Sequence, residues 1–144
     1  MVVGSEVEVD LAALKCWVDE FVQNVQRPSC VLLVGAMGAG KTQFVKFFIE
    51  ALNGEVPASP TFAIHHRYQT DLGDVDHVDL YRLEDEADLE SVGFWDLFAQ
   101  QQGLLLVEWA ELLNFKSYPK HWERHLIELT AVSETHRKLS YRKL

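Results

Sequence analysis

The sequence predicts an α/β fold: a single domain over residues 1–144, with a mostly parallel central sheet, flanking helices and antiparallel edge strands. Three observations carry this. Apolar runs of strand length alternate along the chain with segments of helical periodicity. One run, Cys30-Val31-Leu32-Leu33-Val34, passes directly into a glycine-rich turn and then a helical pattern. Another, Leu104-Leu105-Leu106-Val107, ends in a carboxylate, Glu108. Strands that are apolar on both faces belong inside a parallel sheet covered on both sides.

Taken in order, Met1 to Glu8 has neither a basic n-region nor an apolar h-region, so no secretion signal is expected. No apolar run approaches the roughly 20 residues that span a bilayer. Residues 10–26 place Leu11, Leu14, Trp17, Val18, Phe21, Val22 and Val25 on one helical face, with Asp10 as N-cap. Trp17 on that stripe reads as core. Cys16 and Cys30, the only cysteines, read as reduced packing residues of a cytoplasmic protein.

After the strand at 30–34 comes Gly35-Ala36-Met37-Gly38-Ala39-Gly40-Lys41-Thr42, the pattern G-x-x-x-x-G-K-T. Phe44, Val45, Phe48, Ile49 and Leu52 then recur at helical spacing, and Asn53-Gly54 supplies a stop. Strand, glycine turn and helix together form the setting of a P-loop. The turn aims backbone N–H groups at phosphate oxygens, and the helix N-terminus adds partial positive charge. Gly35, Gly38, Ala39, Gly40, Lys41, Thr42 and Gln43 are therefore candidate phosphate-binding residues. Lys41 would reach the β- and γ-phosphates, and the Thr42 hydroxyl would ligate Mg²⁺. The expected ligands are ATP and Mg²⁺.

Val56-Pro57-Ala58-Ser59-Pro60-Thr61-Phe62 cannot be helical, because its two prolines lie three apart. The loop after the first helix of a P-loop protein often senses the γ-phosphate. Thr61 is the first candidate for that contact and Ser59 the second; a plain connector is the alternative. Phe62, Ile64, His66 and Tyr68 alternate with Ala63, His65 and Arg67 as in a half-buried strand. Asp71-Leu72-Gly73-Asp74 is the expected turn, and Val75 to Tyr81 the returning strand. Asp79 near its end is a candidate Mg²⁺ ligand, since Mg²⁺ requires oxygen donors. His65, His66 and His77 lie on different strand faces without cysteine companions, which argues against zinc. His121 and His125 stand four apart but lack the glutamate that the zinc-helix motif places after its first histidine.

Glu84 to Glu90 reads as a short solvated helix ending near Gly93. Phe94, Trp95, Leu97 and Phe98 form an apolar patch, core or, as the alternative, a partner surface. The strand at 104–107 would deliver Glu108 to the sheet's C-terminal edge, where open α/β sheets bind ligands. This is the Walker B arrangement, in which the acid ligates Mg²⁺ or orients the attacking water. Residues 124–131 and 137–143 read as two further strands that close the sheet with an antiparallel edge. Arg137, near their junction, is a candidate phosphate contact, weighed against an ordinary surface arginine. The formal net charge of −9 opposes unaided binding to DNA, RNA or an anionic membrane.

The segments Gly35-x-x-Gly38-Ala39-Gly40-Lys41-Thr42, Ser59-Pro60-Thr61-Phe62, His77-Val78-Asp79-Leu80-Tyr81-Arg82-Leu83 and Glu108-Trp109 together resemble the bacterial TsaE (YjeE) family. Those are small P-loop ATPases required for N6-threonylcarbamoyladenosine at position 37 of tRNA. The resemblance implies that Lys41 and Thr42 take P-loop roles, that Thr61 belongs to a switch-like loop, and that Asp79 and Glu108 serve Mg²⁺ and hydrolysis. It implies TsaD and TsaB as partners, reset by ATP turnover here, with tRNA engaged only indirectly. Ala36 departs from the acidic residue common in the family's loop.

Other functions weigh less. A small-molecule or nucleoside kinase needs lid arginines, and the six arginines here are scattered. A guanine-nucleotide switch needs an Asn-Lys-x-Asp segment, which the chain lacks. A nucleotide-dependent binding module without turnover stays open.

Overall fold

A computed structural model describes residues 5–56, 64–83 and 86–144. In chain order the elements are β1 (Ser5–Val9), α1 (Leu11–Asn24), β2 (Ser29–Val34), α2 (Lys41–Ala51), β3 (His65–Thr70), β4 (Gly73–Asp79), α3 (Glu86–Ser91), β5 (Leu104–Glu108), β6 (Glu123–Ala131) and β7 (Arg137–Lys143). Short 3-10 turns occupy Leu80–Arg82, Trp95–Ala99, Ala110–Leu112 and Phe115–Ser117.

One seven-stranded sheet runs in the order β1-β7-β6-β2-β5-β4-β3. Its centre is parallel: β2 pairs with β5 and β6, and β4 with β5. The flanks are antiparallel, with β3 on β4, β7 on β6 and β1 on β7. The α/β class expected from the sequence, with parallel central strands and antiparallel edges, is present.

Strand parity divides the core into two halves. Val31 and Leu33 of β2, and Leu104 and Leu106 of β5, face the layer built by Leu14, Val18 and Phe21 of α1 with Phe44 and Phe48 of α2. Cys30 and Leu32, and Leu105 and Val107, face the opposite cluster of Phe94, Phe98, Tyr118 and Trp122. Successive strand residues alternate faces, so a continuous apolar run fills both cores at once. Burying each such Leu or Phe contributes about 1.5–3 kcal/mol. The same parity sends Glu108, next in step after Leu104 and Leu106, toward the α2 side. His77 and Asp79 follow Val75 to that side of β4.

Local chemistry sets the helix ends. Asp10 Oδ1 accepts a 2.8 Å hydrogen bond from the Ala13 amide, as an N-cap does. Gly40 caps α2 from the left-handed region at φ 109°, a conformation that glycine adopts without a Cβ clash.

Several expectations change. β1 had no counterpart in the sequence reading; it forms by pairing Ser5–Val9 along β7. β6 is therefore an interior strand, with β1 and β3 at the two edges. The returning strand stops at Asp79, because the Asp79 side chain accepts from the Tyr81 amide and starts a 3-10 turn. The turn before it is shorter than expected, since β4 begins at Gly73. Long helices cover one face only; α3 and the 3-10 turns cover the other. Cys16 is exposed and does not pack, whereas Cys30 is buried. In the apolar patch Phe94, Leu97 and Phe98 are core, and Trp95 stands at the surface.

Candidate phosphate site

The loop between β2 and α2 lies over the C-terminal ends of the parallel strands, where their connections leave an opening. Here a cleft of about 430 Å³ is lined by Gly38, Gly40, Lys41, Thr42, Asp79 and Glu108, with Tyr81, Arg82 and Trp109 at its side. Gly35 must lack a side chain, since a Cβ there would sit 2.5 Å from the Leu129 carbonyl oxygen of β6. Lys41, Thr42 and Gln43 form the first turn of α2, whose amides have no acceptor within the helix.

The Lys41 ammonium donates to the Gly35 carbonyl oxygen and, at 3.1 Å, to that of Ala36. It also lies 3.9 Å above the centre of the Trp109 ring. Burial pulls the Lys41 pKa down, against the opposing pull of Glu108, Glu111 and Asp79. Trp109 adopts φ 58° and ψ 39°, a costly backbone state for a bulky residue. That turn at the end of β5 is what places the indole beside the lysine.

Thr42 Oγ1 donates to Glu108 Oε1 at 2.8 Å, and His77 Nε2 donates to Glu108 Oε2 at 2.6 Å. Burial pushes the Glu108 pKa up, but the His77 hydrogen bond and charge, Thr42 and Lys41 together outweigh it and hold the acid below its ordinary value. Asp79 is the register neighbour of Glu108 across β4 and β5. Burial and then the Glu108 charge raise its pKa, while the Tyr81 amide and Arg82 pull the other way. Arg82 Nε lies 3.4 Å from Asp79 Oδ2.

Thr42, Glu108 and Asp79 offer only oxygens on the cleft side, the donor type that Mg²⁺ takes. Among the described residues no group of three or more His, Cys, Asp or Glu side chains is placed to hold a metal. A cation here would depend on phosphate oxygens for further ligands.

Of the residues singled out in the sequence, Gly38, Ala39, Gly40, Lys41, Thr42, Gln43, Asp79 and Glu108 meet at this cleft. Gly35 sits behind it, against β6. Ser59 and Thr61 lie outside the described residues. Arg137 directs its guanidinium at backbone carbonyls, bonding to Ala39 at 3.1 Å and Gly38 at 3.2 Å. A second cleft, about 580 Å³, adjoins the first at Gly40 and Gln43 and is walled by Asp10, Leu11, Leu14 and Thr135. Sequence reasoning assigned no role to His77 or Trp109. Strand parity was the available signal for His77, because it stands two residues before Asp79.

The family model for "Threonylcarbamoyl adenosine biosynthesis protein TsaE" matches residues 9–139. The chain belongs to the TsaE family. It is 38% identical to the tRNA threonylcarbamoyladenosine biosynthesis protein TsaE of Aquifex aeolicus over 96 residues, covering 65% of this chain and 66% of that one. It is also 38% identical to the Bacillus subtilis protein of that name over 117 residues, covering 80% and 70%. The chain thus spans about two thirds of the length of these curated relatives. The crystal structure of Bacillus subtilis YdiB superimposes with a TM-score of 0.68 at 28% identity, covering 98% of this chain and 86% of that one. The relatives are named for tRNA threonylcarbamoyladenosine biosynthesis, and the YdiB likeness makes the overall fold a shared architecture. No helix among the described residues of this TsaE-family chain is long and apolar enough to cross a membrane.

Proposed function

We propose that this chain binds ATP with Mg²⁺ and hydrolyses it slowly, as the nucleotide-driven component of the tRNA N6-threonylcarbamoyladenosine machinery. One observation carries the reading: the Thr42 hydroxyl and the Glu108 carboxylate, 66 positions apart in sequence, meet at 2.8 Å beside the phosphate loop. A helix-start hydroxyl facing a strand-end carboxylate is the pair that P-loop enzymes use to hold Mg²⁺.

Each residue has a task. The first-turn amides of α2 and the loop glycines receive the phosphates, and Lys41 leaves its two carbonyl acceptors to reach the β- and γ-oxygens. Mg²⁺, when held by these residues, would supply positive charge against that developing on the phosphates. Thr42, Glu108 and Asp79 would provide oxygens toward that cation. Glu108 stays ionised, oriented by His77, and would ligate the cation directly or accept a hydrogen bond from the attacking water and so position it. The adjoining cleft beside Leu11 and Leu14 receives the adenine base against apolar side chains.

Turnover in the isolated chain is slow. A P-loop protein without a supplied arginine or an ordered switch hydrolyses slowly, and partners add roughly 10³–10⁵-fold. The TsaD–TsaB pair is the partner, and nucleotide state governs association with it. Net charge −9 keeps tRNA off the isolated chain, so tRNA is met only through that pair. The test is a titration of the purified chain with the pair in ATP, ADP and a non-hydrolysable analogue. Association that differs among the three, with faster phosphate release in ATP, is expected. Equal association and unchanged release would favour a static nucleotide-binding module.

A further inference from the structure

We infer that Arg137 is a positioning residue for the phosphate loop: it grips the outward carbonyls of Gly38 and Ala39 and so turns the Gly40 amide toward the ligand. The inference rests on the phosphate-site reading above and adds a part to it.

The guanidinium reaches four backbone carbonyl oxygens. Nε donates to Ala39 at 3.1 Å and Nη2 to Gly38 at 3.2 Å, across 98 and 99 positions of sequence. Nη1 donates to Ser133 at 2.8 Å and His136 at 3.0 Å in the turn between β6 and β7. One planar fork thus ties the C-terminal hairpin to the loop, and a fixed fork holds such geometry better than a flexible ammonium. The Arg137 backbone is itself fixed, opposite Ala131 on β6 and Val9 on β1.

Covalent geometry supplies the consequence. In a trans peptide the carbonyl and the following N–H point to opposite sides. Holding the Ala39 carbonyl therefore directs the Gly40 N–H away from Arg137, while holding the Gly38 carbonyl fixes the next peptide, whose Ala39 N–H donates to the Ala36 carbonyl at 3.0 Å. The loop carries glycine at 35, 38 and 40, so its own sequence restrains it little. Within the loop the Ala39 amide bonds to the Ala36 carbonyl and Lys41 to those of Gly35 and Ala36, and Arg137 adds a restraint from outside. A second contact from the same hairpin agrees: Gly35 lies against the Leu129 carbonyl of β6, closely enough that no Cβ fits. The hairpin holds the loop at both ends, and a preorganised loop loses less entropy when phosphate arrives. The fixed positive charge behind the loop adds attraction for an anion.

The test measures affinities of wild type, Arg137→Met and Arg137→Lys for ATP, ADP and inorganic tripolyphosphate, well below each protein's Tm. Arg137→Met keeps the stem and removes the donors; Arg137→Lys keeps the charge and removes the fork. Both are expected to bind all three ligands about ten-fold more weakly, as loss of one or two loop-ordering hydrogen bonds implies. His125→Gln, remote from the loop, serves as a stability control and is expected to bind tripolyphosphate as wild type does. If Arg137→Met does not fold, Arg137→Lys still decides. Wild-type affinity in Arg137→Lys would overturn the inference, since charge alone would then suffice. A loss confined to ATP and ADP would also overturn it, by assigning Arg137 to the nucleoside. Failure of the wild-type chain to bind any of the three would overturn the phosphate-site reading itself, and this inference with it.

Discussion

Two clusters of carboxylate, histidine and hydroxyl stand at opposite ends of the parallel strands, and only one of them is a candidate site. At the C-terminal ends, Glu108 accepts from Thr42 and His77 and lines an open cleft beside Lys41. At the N-terminal ends, His125 shares a 2.8 Å hydrogen bond with the Tyr141 hydroxyl and lies 3.4 Å from Glu123 and 3.5 Å from Ser29. The residue types nearly match. Their surroundings do not. His125 is buried edge-on against the Phe21 ring and stacked on Tyr141, and burial pulls its pKa down. Glu108 is also buried, yet its pKa is held low because its neighbours favour the charged form. A buried imidazole whose charged form is penalised, beside a part-exposed Glu123 already paired with Lys143, belongs to stability. An open cluster whose charged state is supported belongs to chemistry.

The contrast can be broken by mutation. Glu108→Ala should lower ATP turnover by about 10²-fold or more while binding persists, because it removes charge stabilisation or water orientation. Phosphate release and nucleotide affinity, measured side by side in the assembled complex, check this. Wild-type turnover would remove Glu108 from the chemistry. Lys41→Ala should weaken ATP binding by about 1.5–3 kcal/mol, the range for a hydrogen bond to a charged group, and leave the circular dichroism spectrum unchanged. Unchanged affinity and turnover together would end the phosphate-site reading. Asp79→Ala should follow Glu108→Ala in direction but to a smaller extent, since Asp79 already holds the Tyr81 amide and Arg82. A shift in the Mg²⁺ concentration needed for half-maximal turnover is the measurement.

At the sealed end the expected effect is smaller and of another kind. His125 has a folded pKa below its ordinary 6.5, so the unfolded chain takes up a proton first as pH falls. Its contribution to stability is therefore complete above pH 6.5 and is lost as pH drops through the folded value. Glu123, which draws the pKa up, and Lys143, which draws it down, are the charges facing it. Thermal unfolding between pH 5 and 7 should show Tm falling with acidity, and His125→Gln should flatten that slope. An unaltered slope would place the effect elsewhere, His66 being the other imidazole whose pKa burial lowers.

Legibility in the sequence followed distance along the chain. The phosphate loop was readable because G-x-x-x-x-G-K-T is a local pattern with a local cause, tight glycine turns ahead of a helix. Glu108 was readable because four apolar residues before it mark a buried strand. Cys16 was misassigned although spacing held the answer: Leu14, Val18 and Phe21 are the buried positions of α1, and Cys16 lies off that row. β1 left little trace, since Glu6, Val7 and Glu8 are all exposed and the strand exists only through its pairing with β7.

By itself, then, the sequence determined the glycine-rich turn between strand and helix, the α/β class and the carboxylates at the strand ends. Each depends on residues adjacent in the chain, where steric limits and side-chain periodicity act directly. Tertiary structure alone decided that His77 orients Glu108 across 31 positions, that the Trp109 ring covers Lys41, and that Arg137 meets Gly38 and Ala39 from the far end of the chain. Those contacts depend on strand order and register. The order places β6 beside β2 and β7 next to β6, an arrangement set by burial of both sheet faces together rather than by any one segment.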